Sequence, residues 1–163
     1  MDYKIIPNFL TEDEHRFISD YAFNLDFYYR KYVGKEGDTS TFFFSNCLYD
    51  SDIKNLDPKY FSIIVPLLYK AGIQHPYRVQ VNCFIKQPTP IFTEIHTDQN
   101  YPHKVLLYAI NSNDGYTILD PNNKKIKIPS ISNQALFFDG NIEHQAVTQT
   151  DENIRLNINI NFP

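Results

Sequence analysis

The segment from Ile154 to Phe162 alternates strictly between apolar and polar residues. Alternation with a period of two predicts a β-strand with one apolar and one polar face. The polar face carries Arg155, Asn157, Asn159 and Asn161. A solvated edge strand is one interpretation, but asparagine is depleted in strands, and solvated faces more often use lysine, glutamate or threonine. We therefore interpret this face as the lining of a binding cavity.

A second segment shows the same division, and the chain from Tyr77 onward consists almost entirely of short strands and turns. In Tyr77–Lys86, Arg78, Gln80 and Asn82 share one face and apolar residues share the other. Many short strands separated by turn residues predict a double-sheet jelly roll. The predicted strands are Tyr77–Lys86, Thr93–Asp98, Lys104–Asn111, Tyr116–Asp120, Lys124–Ile128, Gln134–Phe138, Glu143–Thr148 and Asn153–Phe162.

The N-terminal part predicts helices that support this β-structure. Thr11 and Glu14 have the spacing of a capping box, and apolar residues then follow at helical intervals. A second helix is expected to begin near Asp57-Pro58, with strain at Pro66. Short strands are expected at Tyr3–Ile6 and Thr41–Tyr49. The predicted class is α+β, mainly β: one domain over 1–163, with helical support and a lid in 1–75 and a jelly-roll core in 76–163.

Composition limits the classes of partner. The net charge of −4 argues against sequence-independent nucleic-acid binding, which needs a positive surface. The two cysteines, Cys47 and Cys83, are too few for a disulfide framework and are interpreted as buried thiols. The first residues lack the features of a signal peptide, and no apolar run reaches the length of a membrane span. These patterns predict a cytoplasmic protein that is not attached to a membrane, and they leave its oligomeric state open.

The tripeptide His96-Thr97-Asp98 and the later His144 suggest a metal site. A His and an Asp two residues apart on a strand point to the same side, about 7 Å apart along the backbone. A third ligand from a distant strand completes one face of a metal octahedron. Two imidazoles and one carboxylate, with the opposite face open, suit catalytic Fe(II). A single His-x-Asp is a weak signal, so packing or surface roles for these residues stay open; His15, His75 and His103 are interpreted as surface or packing residues.

Arg155 adds the group that such a site needs to hold an anionic co-substrate. A guanidinium pairs bidentately with a carboxylate and keeps its charge at any relevant pH. A salt bridge to a neighbouring strand is the alternative role. The conjunction of His96, Asp98, His144 and Arg155 on strands of matching polarity is far more specific than any one of them.

Several segments resemble the Fe(II)/2-oxoglutarate oxygenases, especially the small prolyl-hydroxylase-like members common in bacteriophages. They are His96-Thr97-Asp98, Lys104–Asn111, Asp114–Thr117, Ala135–Asp139, His144 and Arg155–Asn159. The resemblance implies a double-stranded β-helix fold. It also implies Fe(II) as the metal, 2-oxoglutarate and O2 as co-substrates, ascorbate as a supporting reductant, and hydroxylation as the reaction.

The resemblance also implies roles for individual residues. His96, Asp98 and His144 match the iron ligands, and Arg155 matches the residue that binds the distal carboxylate of 2-oxoglutarate. Asn157 stands where many members have a small hydroxyl residue beside that carboxylate. The remaining matches are Tyr108 or its neighbour, where a tyrosine often contacts the co-substrate, and Asn82, on a strand that commonly faces it.

The resemblance to prolyl hydroxylases also implies a class of substrate. A prolyl residue in a peptide or protein, or a related amino acid, is the leading candidate, and a small metabolite follows. Lid candidates are Tyr28–Ser40 and Gln87–Glu94, and Arg78 is expected to reach the substrate. Two other function classes stay open: a cupin-like metal-dependent isomerase or binder that does not use 2-oxoglutarate, and a jelly-roll binding module without metal.

Overall fold

The computed structural model describes residues 3–33, 36–37, 40–52 and 58–163, and only the backbone of Asn122. These residues form three α-helices and ten β-strands. The helices are α1 (Glu12–Phe23), α2 (Pro58–Ile63) and α3 (Val65–Ala71). The strands are β1 (Tyr3–Ile6), β2 (Tyr28–Arg30), β3 (Phe43–Asp50), β4 (Arg78–Ile85), β5 (Lys104–Ala109), β6 (Asn113–Leu119), β7 (Ile126–Ser130), β8 (Gln134–Asp139), β9 (His144–Val147) and β10 (Ile154–Phe162).

The strands form two antiparallel sheets, as the predicted jelly roll requires. The larger sheet has seven strands in the order β1-β8-β5-β10-β4-β3-β2, and the smaller has three in the order β7-β6-β9. The two sheets pack on each other at one end through a cluster that includes Val105 and Leu136 from the larger sheet and Leu119 and Ile128 from the smaller. At the other end the sheets separate around a cavity.

The helices cover the outer face of the larger sheet and explain the alternation of β10. Leu156, Ile158 and Ile160 are fully buried in the cluster that includes Ile18 of α1 and Leu67 of α3. The intervening polar residues of β10 face the cavity. Thus both faces of the strand are buried, one against a helical layer and the other around a polar space. No helix in the described ranges is long and apolar enough to cross a membrane.

The N-terminal part contributes strands as well as helices. β1 pairs with β8, and β2 and β3 extend the larger sheet beyond β4. The capping box of α1 is confirmed, since Thr11 Oγ1 accepts from Glu14 N and Glu14 Oε2 accepts from Thr11 N. The expected strain near Pro66 appears as a break: the helix is interrupted at Ile64, and Pro66 lies in the first turn of α3. Asp57 lies outside the described residues.

The segment predicted as the strand Thr93–Asp98 is extended but is not a continuous strand. Its ladder with β9 is reduced to isolated bridges, His96 with His144 and, just before the segment, Phe92 with Val147. Side-chain hydroxyls replace part of the missing ladder: Thr93 Oγ1 accepts from Ala146 N. This irregular pairing leaves the segment beside β9, where it acts as a fourth, incomplete strand of the smaller sheet.

Candidate active site

Three side chains with metal-ligating atoms meet where the extended segment joins β9. Backbone hydrogen bonds between His96 and His144, of 3.0 and 2.9 Å, place their rings side by side with centroids 4.6 Å apart. Asp98 Oδ1 lies 3.9 Å from His96 Nε2 and 3.6 Å from His144 Nε2. One ligand atom from each residue lies within 4.8 Å of the others. The structure therefore brings together the three residues that the sequence singled out.

Backbone carbonyls orient both imidazole rings. Nδ1 of His96 donates to the carbonyl of Glu94 at 3.0 Å, and Nδ1 of His144 donates to the carbonyl of Ile142 at 3.1 Å. A hydrogen bond at one ring nitrogen fixes which nitrogen is presented to a metal. In both rings the nitrogen on the Asp98 side is Nε2. This donor set, two nitrogens and one carboxylate oxygen with the cavity beyond, fits Fe(II).

The second oxygen of Asp98 is held by the last strand. Asn159 Nδ2 and Asn161 Nδ2 each donate to Asp98 Oδ2 at 2.9 Å. Burial alone would raise the pKa of Asp98, but the His144 ring, the charge of Arg78 and the amide of Asn159 outweigh it and hold the pKa far below its usual range. Asp98 is therefore an anion whose Oδ2 is occupied and whose Oδ1 faces the two imidazoles.

Asp98 also affects the titration of His144. Burial lowers the pKa of His144, but its interaction with Asp98 outweighs this effect, so that the pKa is raised. A metal ligand must be the neutral imidazole, so cation binding competes with protonation of this ring.

Arg155 lies deep in the cavity and is almost completely buried, with 3% of its surface exposed. Its Nη1 donates to the carbonyls of Tyr116 and Val147, its Nη2 donates to Thr117 Oγ1, and its guanidinium lies 5.7 Å from the ring centre of Phe84. Burial lowers the pKa of Arg155 to about 10, so it is still charged at neutral pH.

This buried cation has no counter-ion in the described part of the chain. None of the ion pairs found between described residues involves Arg155. Its Nε has no hydrogen-bond partner among the described residues. Burying an uncompensated charge is costly, which indicates that the position is built for an anionic ligand.

The cavity has a volume of about 390 Å³, within the range of small-molecule sites. It contains the triad, Arg155 and the polar faces of β4 and β10. Asn82 Nδ2 donates to Asn157 Oδ1 at 3.1 Å, and Gln80 Nε2 donates to Asn82 Oδ1 at 2.6 Å. This amide chain lies between the triad and Arg155 and leaves the NH2 group of Asn157 as a donor for a ligand. Asn82, Asn157 and Arg78 all line the cavity.

The other histidines do not join the cluster formed by the described residues. His15 contacts the hydroxyls of Tyr108 and Ser132, at 2.6 and 2.8 Å. His103 is buried and its Nδ1 donates to the carbonyl of Tyr101, while His75 is exposed. Of the two cysteines, Cys83 is buried as expected, but Cys47 is only half-buried and lines the cavity.

No protein-family model matches the sequence, and no curated protein matches it either. Solved structures do match. An oxidoreductase of the 2OG-Fe(II) oxygenase family from Burkholderia pseudomallei superposes with a TM-score of 0.76 at 14% identity, covering 99% of this chain and 84% of that one. The chain has the fold of the 2-oxoglutarate-dependent Fe(II) oxygenases.

Two further structures of this fold were solved with ligands. The prolyl hydroxylase from Trichoplax adhaerens, in complex with a hypoxia inducible factor peptide fragment, has a TM-score of 0.68 at 18% identity and covers 99% of this chain and 83% of that one. The epimerase SnoN from nogalamycin biosynthesis, in complex with Fe3+, alpha ketoglutarate and nogalamycin RO, has a TM-score of 0.65 at 13% identity and covers 99% and 78%. The double-stranded β-helix predicted from the sequence is confirmed.

Within this oxygenase fold, Tyr108 is placed differently from the sequence-based expectation. Its side chain lies on the helical side of β5, is fully buried, and its hydroxyl donates to Asn133 Oδ1 at 2.9 Å. The cavity-facing residue of β5 is the neighbouring Leu107. Of the two positions expected from the sequence, Tyr108 or its neighbour, only the neighbour faces the cavity, because successive residues of a strand point to opposite faces.

We expect Tyr108→Phe to lower stability without changing 2-oxoglutarate binding. Loss of the hydroxyl removes its contact with His15 Nδ1 and one of the two hydrogen bonds that Asn133 Oδ1 accepts, which costs about 1–3 kcal/mol. Thermal denaturation measures the first effect and titration calorimetry the second. A tenfold weaker 2-oxoglutarate affinity would show that this tyrosine reaches the cavity after all.

Asn159 and Asn161 are the site residues whose role sequence reasoning missed. The alternation of β10 placed them on the cavity face, but the pattern does not say that they meet Asp98. We expect Asn159→Ala and Asn161→Ala each to weaken metal binding by about 10- to 100-fold, the usual effect of removing an outer partner of a ligand. Calorimetric titration with Co(II) measures this, and Asn113→Ala, on β6 away from the triad, is the matched control. Unchanged affinity in both variants would contradict this positioning role.

The two lid candidates lie differently relative to the cavity. Of Tyr28–Ser40, Arg30, Tyr32 and Val33 line it, while 34–35 and 38–39 lie outside the described residues. Gln87–Glu94 is tied to the segment that continues β9 by backbone hydrogen bonds, including Thr148 N to the carbonyl of Ile91 at 3.0 Å. Closure by either segment remains a prediction.

Proposed function

We propose that the chain is an Fe(II)- and 2-oxoglutarate-dependent oxygenase that hydroxylates a prolyl residue in a peptide or protein, or a related amino acid. In this proposal His96, Asp98 and His144 hold the metal. Arg155 binds the distal carboxylate of 2-oxoglutarate, and Asn157 and Asn82 lie along the co-substrate between the two. The observation that carries the proposal is the buried, uncompensated Arg155 in the same cavity as a His-Asp-His cluster.

The positions of these groups suit an extended dicarboxylate. Asn159, which holds Asp98, and Arg155 lie four residues apart on the same face of β10, which is about 13 Å along a strand. The long side chain of Arg155 shortens the span that a ligand must cover. Arg155 keeps spare donors after its three protein hydrogen bonds, and the carboxylate of a ligand is the counter-ion that this charge lacks.

When bound, Fe(II) with 2-oxoglutarate and O2 supplies the oxidation: one oxygen atom converts 2-oxoglutarate to succinate and CO2, and the other converts a substrate C–H to C–OH. The protein supplies binding, orientation and a partly closed cavity. The carbonyls of Glu94 and Ile142 fix the two imidazoles, and the amides of Asn159 and Asn161 keep Asp98 to a single free oxygen. Arg155 orients the co-substrate from its far end.

The arginine separates this function from the alternatives. A cupin-like metal protein that does not use 2-oxoglutarate has no use for a buried cation without a counter-ion in the metal cavity. A binding module without metal has no use for imidazoles oriented by backbone hydrogen bonds around a buried carboxylate. The prolyl hydroxylase of similar fold supports the prolyl candidate.

Conversion of 2-oxoglutarate to succinate tests the proposal. Purified protein with Fe(II), ascorbate and O2 is expected to form succinate slowly without substrate and faster with a prolyl peptide or free amino acid. The signal should require iron and disappear in His144→Ala. Iron binding with no succinate under any of these conditions would favour the cupin-like alternative.

A further inference from the structure

Two arginines lie on opposite sides of Asp98 in the cavity. β4 and β10 pair so that Asn161 is opposite Arg78, Asn159 opposite Gln80 and Asn157 opposite Asn82. Asp98 accepts hydrogen bonds from Asn161 and Asn159. Arg155 lies further along β10, on the other side of Asn157. The proposed metal site therefore divides the cavity. The part towards Arg155 takes the co-substrate, and the part towards Arg78 is left for the substrate.

The donors of Arg78 are poorly used within the protein. Its Nη2 lies 3.8 Å from Asp98 Oδ1, which is beyond hydrogen-bond distance, and its Nε has no partner among the described residues. The side chain is only 22% exposed, so water does not fully replace the missing contacts. A charged and mostly buried side chain with unused hydrogen-bond donors is typical of a site that is completed by a ligand.

Asp98 has hydrogen-bond partners other than Arg78. The Oδ2 atom of this carboxylate already accepts two amide hydrogen bonds, from Asn159 and Asn161. Its Oδ1 faces the two imidazoles, where a metal cation would lie, and a guanidinium beside that cation is repelled by it. An anion close to Arg78 removes this repulsion.

The charge balance of the cavity also favours a substrate carboxylate. The described lining contains three arginines, Arg30, Arg78 and Arg155, against two aspartates, Asp50 and Asp98. Bound Fe(II) adds two positive charges and the 2-oxoglutarate dianion removes two, while the ligating imidazoles are neutral. One positive charge is left over, and a substrate with one carboxylate close to it would neutralise it.

We propose that Arg78 binds a carboxylate of the substrate, which is then a free amino acid or the C-terminal residue of a peptide rather than an internal peptide residue. This inference rests on the function proposed above and narrows its substrate class. Arg30 is less suited to the role, because its Nε already donates to Ser45 Oγ at 2.9 Å.

Anaerobic binding of matched carboxylates and carboxamides tests this proposal. Protein loaded with Fe(II) and 2-oxoglutarate is titrated with free L-amino acids, with dipeptides that have a free C-terminus, and with the carboxamide of each. The change in the visible absorption of the iron complex is recorded. At least one carboxylate is expected to bind saturably, with its carboxamide at least about tenfold weaker. The series that responds, amino acids or dipeptides, identifies the source of the carboxylate.

Variants of Arg78 test whether the preference for a carboxylate over its carboxamide depends on this side chain. Arg78→Gln should weaken the carboxylate to the level of its carboxamide, and Arg78→Lys should restore part of the difference because it keeps the charge. Arg16→Gln, an exposed arginine paired with Asp13, is the matched control and should change nothing. Affinities for Co(II) and for 2-oxoglutarate are measured in the same variants to detect an effect on Asp98.

The experiment distinguishes a failure of the proposed function from a failure of this inference alone. If 2-oxoglutarate itself produces no absorption change, the proposed function fails and this inference fails with it. If that change appears, the inference alone is overturned by any of three results: equal binding of carboxylate and carboxamide, no response to any carboxylate, or loss in Arg78→Gln of metal affinity instead of the carboxylate preference.

Discussion

Replacing His144 by alanine is expected to abolish metal binding. The side chain is buried at the start of β9 and presents Nε2 to Asp98 at 3.6 Å, and His96 and Asp98 alone leave a two-ligand site. Loss of an outer partner weakens a metal site by about 10- to 100-fold, and the loss of a direct ligand should exceed this. Anaerobic calorimetric titration with Fe(II), or with Co(II) as a stable substitute, measures the change.

Thermal denaturation gives a second measurement of the same effect. A metal at 100 times its dissociation constant stabilises the folded state by about 2.7 kcal/mol. For a chain of this size, that is a rise in Tm of roughly 5–10 °C. The wild-type protein should show this rise and His144→Ala should not. His75→Ala, at an exposed histidine, is the control and should behave as the wild type. A His144→Ala protein that still binds the metal within a few-fold would exclude this cluster as the metal site.

Replacing Arg155 by alanine is expected to remove most of the affinity for 2-oxoglutarate while metal binding is retained. Truncating one partner of a buried charge pair costs about 2–5 kcal/mol, or roughly 30- to several thousand-fold in affinity. Arg155→Lys keeps the charge but loses the planar pair of donors, so an intermediate affinity is expected. Calorimetric titration of the Co(II)-loaded protein with 2-oxoglutarate measures the series.

Arg155 also joins β10 to the smaller sheet, which requires a control for stability. Its removal leaves the carbonyls of Tyr116 and Val147 without these hydrogen bonds. The Tm of each variant is therefore measured with the affinity, and retained Co(II) binding shows that the cavity has kept its shape. If Arg155→Ala lowers Tm but leaves the 2-oxoglutarate affinity unchanged, the arginine is a structural link between the sheets and the proposed co-substrate site is wrong.

The elements with a strong local pattern could be predicted from the sequence. The alternation in Ile154–Phe162 predicted a strand with two distinct faces, and both faces are found buried. The Thr11 capping box and the helix break near Pro66 are local effects, and both appear in the structure. The short strand β2 was missed because its three residues, Tyr28–Arg30, are all exposed and lack an apolar–polar alternation.

Features that depend on how distant strands pair could not be predicted. Thr93–Asp98 has strand-like composition, but hydroxyl groups replace some of its ladder hydrogen bonds. The orientation of Tyr108 depends on the register of β5. The contact of Asp98 with Asn159 and Asn161 depends on where the extended segment lies against β10, which no spacing within either segment reveals.

The site was predictable where its signal was local. His96 and Asp98 are two residues apart, so any extended backbone places them on the same side, and the structure adds His144 to them through a single backbone bridge. The missing counter-ion of Arg155, by contrast, is a property of its surroundings.

The measurement that tests the central claim most directly is the binding of 2-oxoglutarate to the Fe(II)-loaded protein in the absence of O2. The chelate of 2-oxoglutarate with Fe(II) produces a visible metal-to-ligand absorption band. The account predicts a saturable band in the wild-type protein, no band in His144→Ala and a band that requires much more 2-oxoglutarate in Arg155→Ala. Iron binding without any such band would contradict the oxygenase function, and no metal binding at all would contradict the metal site itself.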